Sequence, residues 1–253
     1  MSDLSAFSLE SRRIAVTGAN TGIGQGIAVA VARAGGTVVG IGRSAMDETA
    51  RLVEAEGAEF LSVKADISDM AASVAMLNAL MAEGPLDGLV NNAGIIRRAD
   101  SVDFTEADWD DVMEVNLKSL FFLSQAFGRN CIAAKRGGRI VNIASLLSFQ
   151  GGIRVPSYTA SKHGVLGVTR LLANEWAAKG INVNAIAPGY IETNNTEALR
   201  NDPDRSKALL ERIPAGRWGV AADIGDVAVF LLARASNYMH GAVIPVDGGW
   251  LAR

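Results

Sequence analysis

The chain has 253 residues, 49% of them hydrophobic and 20% charged, with a formal net charge of −3. That size supports one globular domain with a sizeable core, and the lack of any Lys/Arg-rich run argues against a nucleic-acid or membrane-surface role. A single cysteine, Cys131, excludes an intrachain disulfide; with two histidines besides, no Cys/His metal site is expected. Residues 1–13 lack the apolar core of a signal peptide and no apolar run is long enough to span a bilayer, so the expected location is a reducing cytoplasm.

Apolar, β-branched runs alternate with longer helical patterns. In chain order the sequence predicts strand 13–17, helix 24–34, strand 37–41, helix 45–56, strand 60–64, helix 69–83, strand 88–91, helix 105–135, strand 139–143, helix 158–179, strand 182–187, helix 222–233 and strand 242–246. Several strands are nearly continuous apolar runs, the mark of strands buried on both faces of a parallel sheet. The alternation reads as repeated βαβ units in an α/β, doubly wound sheet forming one domain over 1–253. The stretch 190–214 is long, polar and without a periodic pattern, as lid-like insertions often are.

The run Thr17-Gly18-Ala19-Asn20-Thr21-Gly22-Ile23-Gly24 follows the first strand and opens a helix. Its glycines suit a tight turn and close approach of backbone to a pyrophosphate at the helix N-terminus, although the spacing is GxxxGxG and a ligand-free glycine turn is the alternative. After the second strand stands Arg43, where an acidic residue would bind the ribose hydroxyls of NAD. Arg43 could pair with a 2′-phosphate, stack on adenine, or simply be solvated. Asp66-Ile67 follows the third strand, where the carboxylate could meet the adenine amine or cap the next helix. Asn91-Asn92-Ala93-Gly94 follows the fourth; its small residues admit a cofactor, and Asn91 could tie strand ends together.

Tyr158 and Lys162 are four apart, so on a helix they share one face. A nearby ammonium is expected to lower the tyrosine pKa and make the phenol usable as an acid or base. Ser145, thirteen residues before Tyr158, could hold a substrate oxygen; Ser148 competes for that role. Asn116 sits inside a helical pattern between apolar neighbours, so it should be buried and hydrogen-bonded, either to a catalytic water or as a helix-kink residue. His163 falls about 100° round the helix from the Tyr158–Lys162 face and is expected outside the chemistry. Three arginines lie where ligands bind in open α/β sheets: Arg154, Arg98 and Arg217. Arginine's fork matches a carboxylate, and Arg154 is the expected clamp because its loop passes beside Ser145 and Tyr158. Gln150, with Asn194 or Asn195 in the insertion, could bind hydroxyls.

Together these residues resemble the short-chain dehydrogenase/reductase family, from about residue 9 to the C-terminus, with several independent motifs in order at the family's spacing. The resemblance implies a seven-stranded parallel Rossmann sheet, an Asn116/Ser145/Tyr158/Lys162 tetrad and a homotetramer. Tyr158 would exchange the proton, Ser145 orient the carbonyl or alcohol, and Lys162 bind the nicotinamide ribose and lower the tyrosine pKa. Asn116 would hold a water in a relay from the lysine. Cofactor contacts are implied at Gly18, Asn20, Thr21, Gly22, Ile23, Gly24, Arg43, Asp66, Ile67, Asn92, Ala93, Gly94, Tyr158, Lys162, Pro188, Gly189, Ile191 and Thr193. Segments 6–9, 95–98, 145–158, 187–196, 212–219 and 246–253 are similar to sugar-acid dehydrogenases of the family, which implies hydroxyl/keto interconversion on a small sugar acid with NAD slightly favoured over NADP. The rival readings are a reductase of another carbonyl, such as a 3-oxoacyl thioester, sugar or steroid, and a non-catalytic nucleotide sensor.

Overall fold

The computed structural model of the protein describes residues 4–253, apart from the side chain of Asn195. Its centre is a seven-stranded, all-parallel sheet. The elements in order are β1 (Arg13–Thr17), α1 (Gly22–Arg33), β2 (Thr37–Gly42), α2 (Asp47–Ala55), β3 (Phe60–Lys64), α3 (Met70–Glu83), β4 (Gly88–Asn91), α4 (Glu106–Met113), α5 (Ser119–Ala133), β5 (Gly138–Ile143), α6 (Pro156–Trp176), β6 (Ile181–Pro188), α7 (Glu197–Arg200), α8 (Pro203–Arg212), α9 (Ala221–Leu232) and β7 (Val243–Val246). The strand order is β3-β2-β1-β4-β5-β6-β7. The chain winds outward in one direction from β1 and in the other from β4. The crevice between them, beyond the strand carboxyl ends, is the topological switch point at which open α/β sheets bind ligands.

Strand pleating explains the two-sided core. Ile14 and Val16 of β1 join Ile27 and Val31 of α1 and Ile224 and Leu231 of α9 on one face of the sheet. Ala15, between them, joins Leu89, Phe127 and Ile140 on the other, under α3, α5 and α6. Each such aliphatic side chain contributes roughly 1.5–3 kcal/mol when taken from water. Helices α1 and α9 approach closely because Gly26 faces Ala221. A Cβ on Gly26 would stand 2.5 Å from that of Ala221.

Two expectations change. The helical pattern 105–135 is interrupted by one π turn, Glu114–Lys118, in which the N–H of Ser119 reaches back to the carbonyl of Glu114. The stretch 190–214 carries a 3₁₀ turn at Asn194–Thr196 and the helices α7 and α8, so it is structured rather than irregular. Among the described residues no helix is long and apolar enough to cross a membrane.

Candidate active site

A cleft of about 500 Å³ opens over the carboxyl ends of the strands. Gly18 follows β1, Gly42 ends β2, Ala65 follows β3, Asn92 follows β4, Ala144 follows β5 and Pro188 ends β6; all six line it. So do Asn20, Thr21, Gly22, Ile23, Gly24, Arg43, Asp66, Ile67, Ala93, Gly94, Gly189, Ile191, Thr193 and Asn194.

At one end, Gly18 and Gly22 have φ of +66° and +56°, a region that disfavours side chains. A Cβ on Gly24 would lie 2.0 Å from the carbonyl oxygen of Gly18. The turn therefore exists only with glycine there, and Gly22, Ile23 and Gly24, the first turn of α1 with its free N–H groups, line the cleft. That bare, donor-lined cradle fits a dinucleotide pyrophosphate. Asn92 secures the turn from behind: its Nδ2 donates to the carbonyls of Thr17 (2.9 Å) and Gly18 (3.2 Å). Asn91 ties β4 to β5 through Asn142 at 2.9 Å.

Beyond β2, Asn20 Nδ2 donates to Ser44 Oγ at 2.9 Å and Arg43 lies 3.8 Å from Asp66. Asp66 accepts the backbone N–H and hydroxyl of Ser68, which hold its carboxyl below the usual range, aided by the Arg43 charge. It does not cap the next helix; Asp69 does, accepting from Ala72 N–H.

At the other end, Ser145, Tyr158 and Lys162 meet on the cleft wall. Ser145 is the extended residue that turns the chain from β5 into a 3₁₀ turn. Ser148 does not line the cleft. Its buried hydroxyl donates to the Lys162 carbonyl (2.7 Å) and accepts from Ser145 N–H (3.3 Å), so it locks the loop. Pro156 opens α6, which presents Tyr158 and, one turn on, Lys162, whose Nζ lies 5.5 Å from the phenol ring centroid. Lys162 is 4% exposed and donates to the Ile143 carbonyl at 2.7 Å. Burial pushes its pKa down to about 8. In the structure the Tyr158 pKa is set first by burial, with Lys162 one helical turn away. Burial raises the phenol's pKa, opposed by a hydrogen bond with Ser145 and by the charge of Arg98. The Lys162 ammonium lies over the phenol ring and donates to the Ile143 carbonyl rather than to the phenol oxygen.

Asn116 is buried within the π turn and does not line the cleft. Its Oδ1 accepts from Ile95 N–H (2.8 Å) and its Nδ2 donates to the Ile95 carbonyl (2.9 Å) and to Ser161 Oγ (3.3 Å). It thus pins the loop after β4. His163 is exposed, with Nδ1 against the Thr159 carbonyl at 2.9 Å, away from the cleft.

Of the three arginines, Arg154 and Arg217 are committed elsewhere. Arg154 is exposed and pairs with Asp100 at 3.0 Å, on a backbone with φ +64°. Arg217 makes a two-pronged pair with Asp223, at 2.8 and 2.9 Å. None of the three lines the cleft, and Arg98 is exposed like Arg154. The charge of Arg98 opposes the rise in the Tyr158 pKa, after burial and the Ser145 hydrogen bond. Gln150 accepts from Trp250 Nε1 at 3.3 Å and is also outside the cleft lining; the Asn195 side chain lies outside the described residues. Sequence reasoning missed the lining residues Ile41, Gly42, Ser44, Ala65, Ile95, Val115, Ile143, Ala144 and Thr196. Ser44 had a readable signal, since it follows a strand end. Among the described residues no group of His, Cys, Asp and Glu could hold a metal ion.

A parallel sheet with a glycine cradle at its switch point and a Ser/Tyr/Lys wall defines a nicotinamide-dependent oxidoreductase. A family model described as enoyl-(acyl carrier protein) reductase matches residues 18–251. The chain is 58% identical over 251 residues, 99% of each protein, to 2-dehydro-3-deoxy-D-gluconate 5-dehydrogenase of Escherichia coli (strain K12). It is 57% identical over 251 residues, again 99% of each, to the protein of that name in Dickeya dadantii (strain 3937). A solved structure from Agrobacterium tumefaciens, provisionally named a 2-deoxy-D-gluconate 3-dehydrogenase and containing NADP, is 62% identical with a TM-score of 0.94, covering 98% of this chain and 99% of that one. The chain belongs to the short-chain dehydrogenase/reductase family. It is an NAD(P)-dependent oxidoreductase.

Proposed function

We propose that the protein interconverts a hydroxyl and a keto group on a small sugar acid, 2-dehydro-3-deoxy-D-gluconate or 2-deoxy-D-gluconate. The observation that carries this reading is identity of 57–58% along the whole chain to dehydrogenases of the first compound, including segments beyond the cofactor motifs. The bound nicotinamide supplies or accepts the hydride. The cradle of Gly18, Gly22 and Gly24 would hold its pyrophosphate, with Ile67, Ala93, Ile191 and Thr193 along its length. Ser145 Oγ orients the substrate oxygen, and Tyr158 Oη gives that oxygen a proton in reduction or takes one in oxidation. Lys162 Nζ would leave the Ile143 carbonyl partly for the nicotinamide ribose, and its charge would then stabilise the phenolate. Asn116 acts through the loop it pins and through the π turn, a device frequent at functional sites.

The resemblance leans to NAD. The end of β2 supports NADP instead: Arg43 and Ser44 face the cleft there, the Asp66 carboxylate is already held by Ser68, and a relative with 62% identity contains NADP. The test is a substrate panel with both cofactors, followed by nicotinamide absorbance: the two sugar acids, a 3-oxoacyl thioester, a neutral sugar and a steroid. The reading expects highest kcat/KM with a sugar acid and with NADP. Best turnover of the thioester would reassign the substrate. Tight cofactor binding with no turnover at all would make the protein a nucleotide sensor.

A further inference from the structure

The last eight residues, Val246 to Arg253, take no part in the chemistry described above, yet Trp250 is 3% exposed. Gly248 and Gly249, with φ of +63° and +87°, turn the chain back after β7. The Asp247 carboxylate fixes that turn by accepting from Gly249 and Leu251 N–H, each at 2.9 Å. The turn sets the Trp250 indole between three segments, one of them the loop that leaves Ser145.

The first is the end of the insertion. Arg212, the last residue of α8, lays its guanidinium 4.0 Å over the indole, and Ile213 packs in the same buried cluster. The second is the exit of β6, where the Tyr190 ring centroid lies 4.7 Å from that of Trp250. The third is the loop leaving Ser145. Leu146 packs in the cluster, and Trp250 Nε1 donates to Gln150 Oε1 at 3.3 Å.

We infer that Trp250 is a positioning residue for substrate: it sets the insertion against the Ser145 loop, and so fixes the pocket in which the sugar acid meets Tyr158. This rests on the proposed roles of Ser145 and Tyr158. The glycine cradle and the end of β2, which carry the pyrophosphate and adenosine side of the cleft, lie outside this cluster, so the brace should act on substrate more than on cofactor.

The test uses purified full-length enzyme with its best substrate. Trp250→Phe keeps an aromatic ring for Arg212 and Tyr190 but loses the N–H to Gln150. Gln150→Met removes the acceptor at similar volume. One neutral hydrogen bond between the two predicts that each raises KM about three- to tenfold, with kcat within about twofold and cofactor Kd unchanged. The double variant should be no worse than either single, because both remove one link. Trp250→Leu, which also loses the ring, should raise KM further. Unchanged KM in both singles, additive effects in the double, or a parallel rise in cofactor Kd overturns the inference. Gln150→Met removes no core side chain and decides the matter if Trp250→Phe does not fold. If the wild type reduces another carbonyl and no sugar acid, the functional reading fails, and the same KM comparison on that carbonyl still judges the brace. No turnover of any substrate overturns both.

Discussion

Tyr158 and Lys162 are neighbours in a desolvated wall, and their protonation is set by what else each touches. Tyr158→Phe keeps the ring and removes the proton carrier. It should reduce turnover roughly 100- to 10,000-fold while cofactor Kd holds; a variant keeping more than half its activity would remove the tyrosine from the mechanism. Lys162 supplies a separate test. Its pKa is about 8 in the fold against 10.5 in an open chain. Between those values the unfolded chain binds more protons, so this group's contribution to stability grows as pH rises through the window. Below about pH 8 the cost of a buried charge is fully present; above 10.5 it is absent. Relative to a Lys162→Met variant, the wild-type apoprotein should therefore gain on the order of 3 kcal/mol between pH 7.5 and 10.5. Denaturant titrations of both proteins across that range measure it. A constant difference would mean the lysine is not desolvated. For the substrate carboxylate, Arg98 is the arginine whose charge reaches Tyr158. We propose it as the carboxylate's partner, in which case Arg98→Ala should raise the sugar-acid KM about tenfold or more. Arg154→Ala and Arg217→Ala, each losing an exposed ion pair, should change it less than about twofold. If Arg98→Ala leaves KM untouched, the substrate is held without this cation.

At the scale of the element, the π turn Glu114–Lys118 links the sheet to the site. It carries Asn116, whose amide takes both backbone groups of Ile95, and Ile95 lines the cleft. Asn116→Ala would remove the partners of the half-buried Ile95 N–H and carbonyl, a cost of about 1 kcal/mol. It should lower the melting temperature and raise cofactor KM together, as measured by calorimetry and initial rates; a stability loss with unchanged kinetics would make the asparagine purely structural. The central strands β1, β2, β4, β5 and β6 were legible because burial on both faces writes apolar runs into the sequence, whereas the edge strands β3 and β7 are partly exposed. The cofactor cradle was legible because backbone approach demands glycine at Gly18, Gly22 and Gly24. The π turn was not, since one inserted residue leaves the composition of 105–135 unchanged. Helix α8 was missed because it buries no residue, although Asp202 before Pro203 is an N-cap signature. Ser145 could not be separated from Ser148 by sequence, because the distinction rests on Ser148 reaching Lys162, fourteen residues on. Nor could spacing show that Arg154 meets Asp100 across two loops.

At the scale of the whole molecule, the fold leaves part of its apolar surface uncovered among the described residues. The outward faces of α4, α5 and α6 carry Trp109, Ile132 and Leu171 among their exposed hydrophobics, with Phe121 and Phe122 half-buried beside them. A groove of about 700 Å³ runs over this face, lined by Phe121, Phe122 and Val168 and edged by Arg97, Asp111, Glu114 and Lys118. Apolar patches rimmed by mixed charge mark association surfaces, and both signs of charge on one patch suit pairing with an identical copy across a two-fold axis. A homotetramer needs two such pairings, and the α4–α6 face is proposed as one of them. Light scattering at micromolar concentration should give the mass of four chains. Leu171 is 47% exposed, so Leu171→Glu costs the isolated chain little. In the assembly it would bury a carboxylate, and the mass should fall to two chains or one while cofactor binding persists. A wild-type monomer would reject the tetramer. A Leu171→Glu variant that stays tetrameric would move the interface off this face.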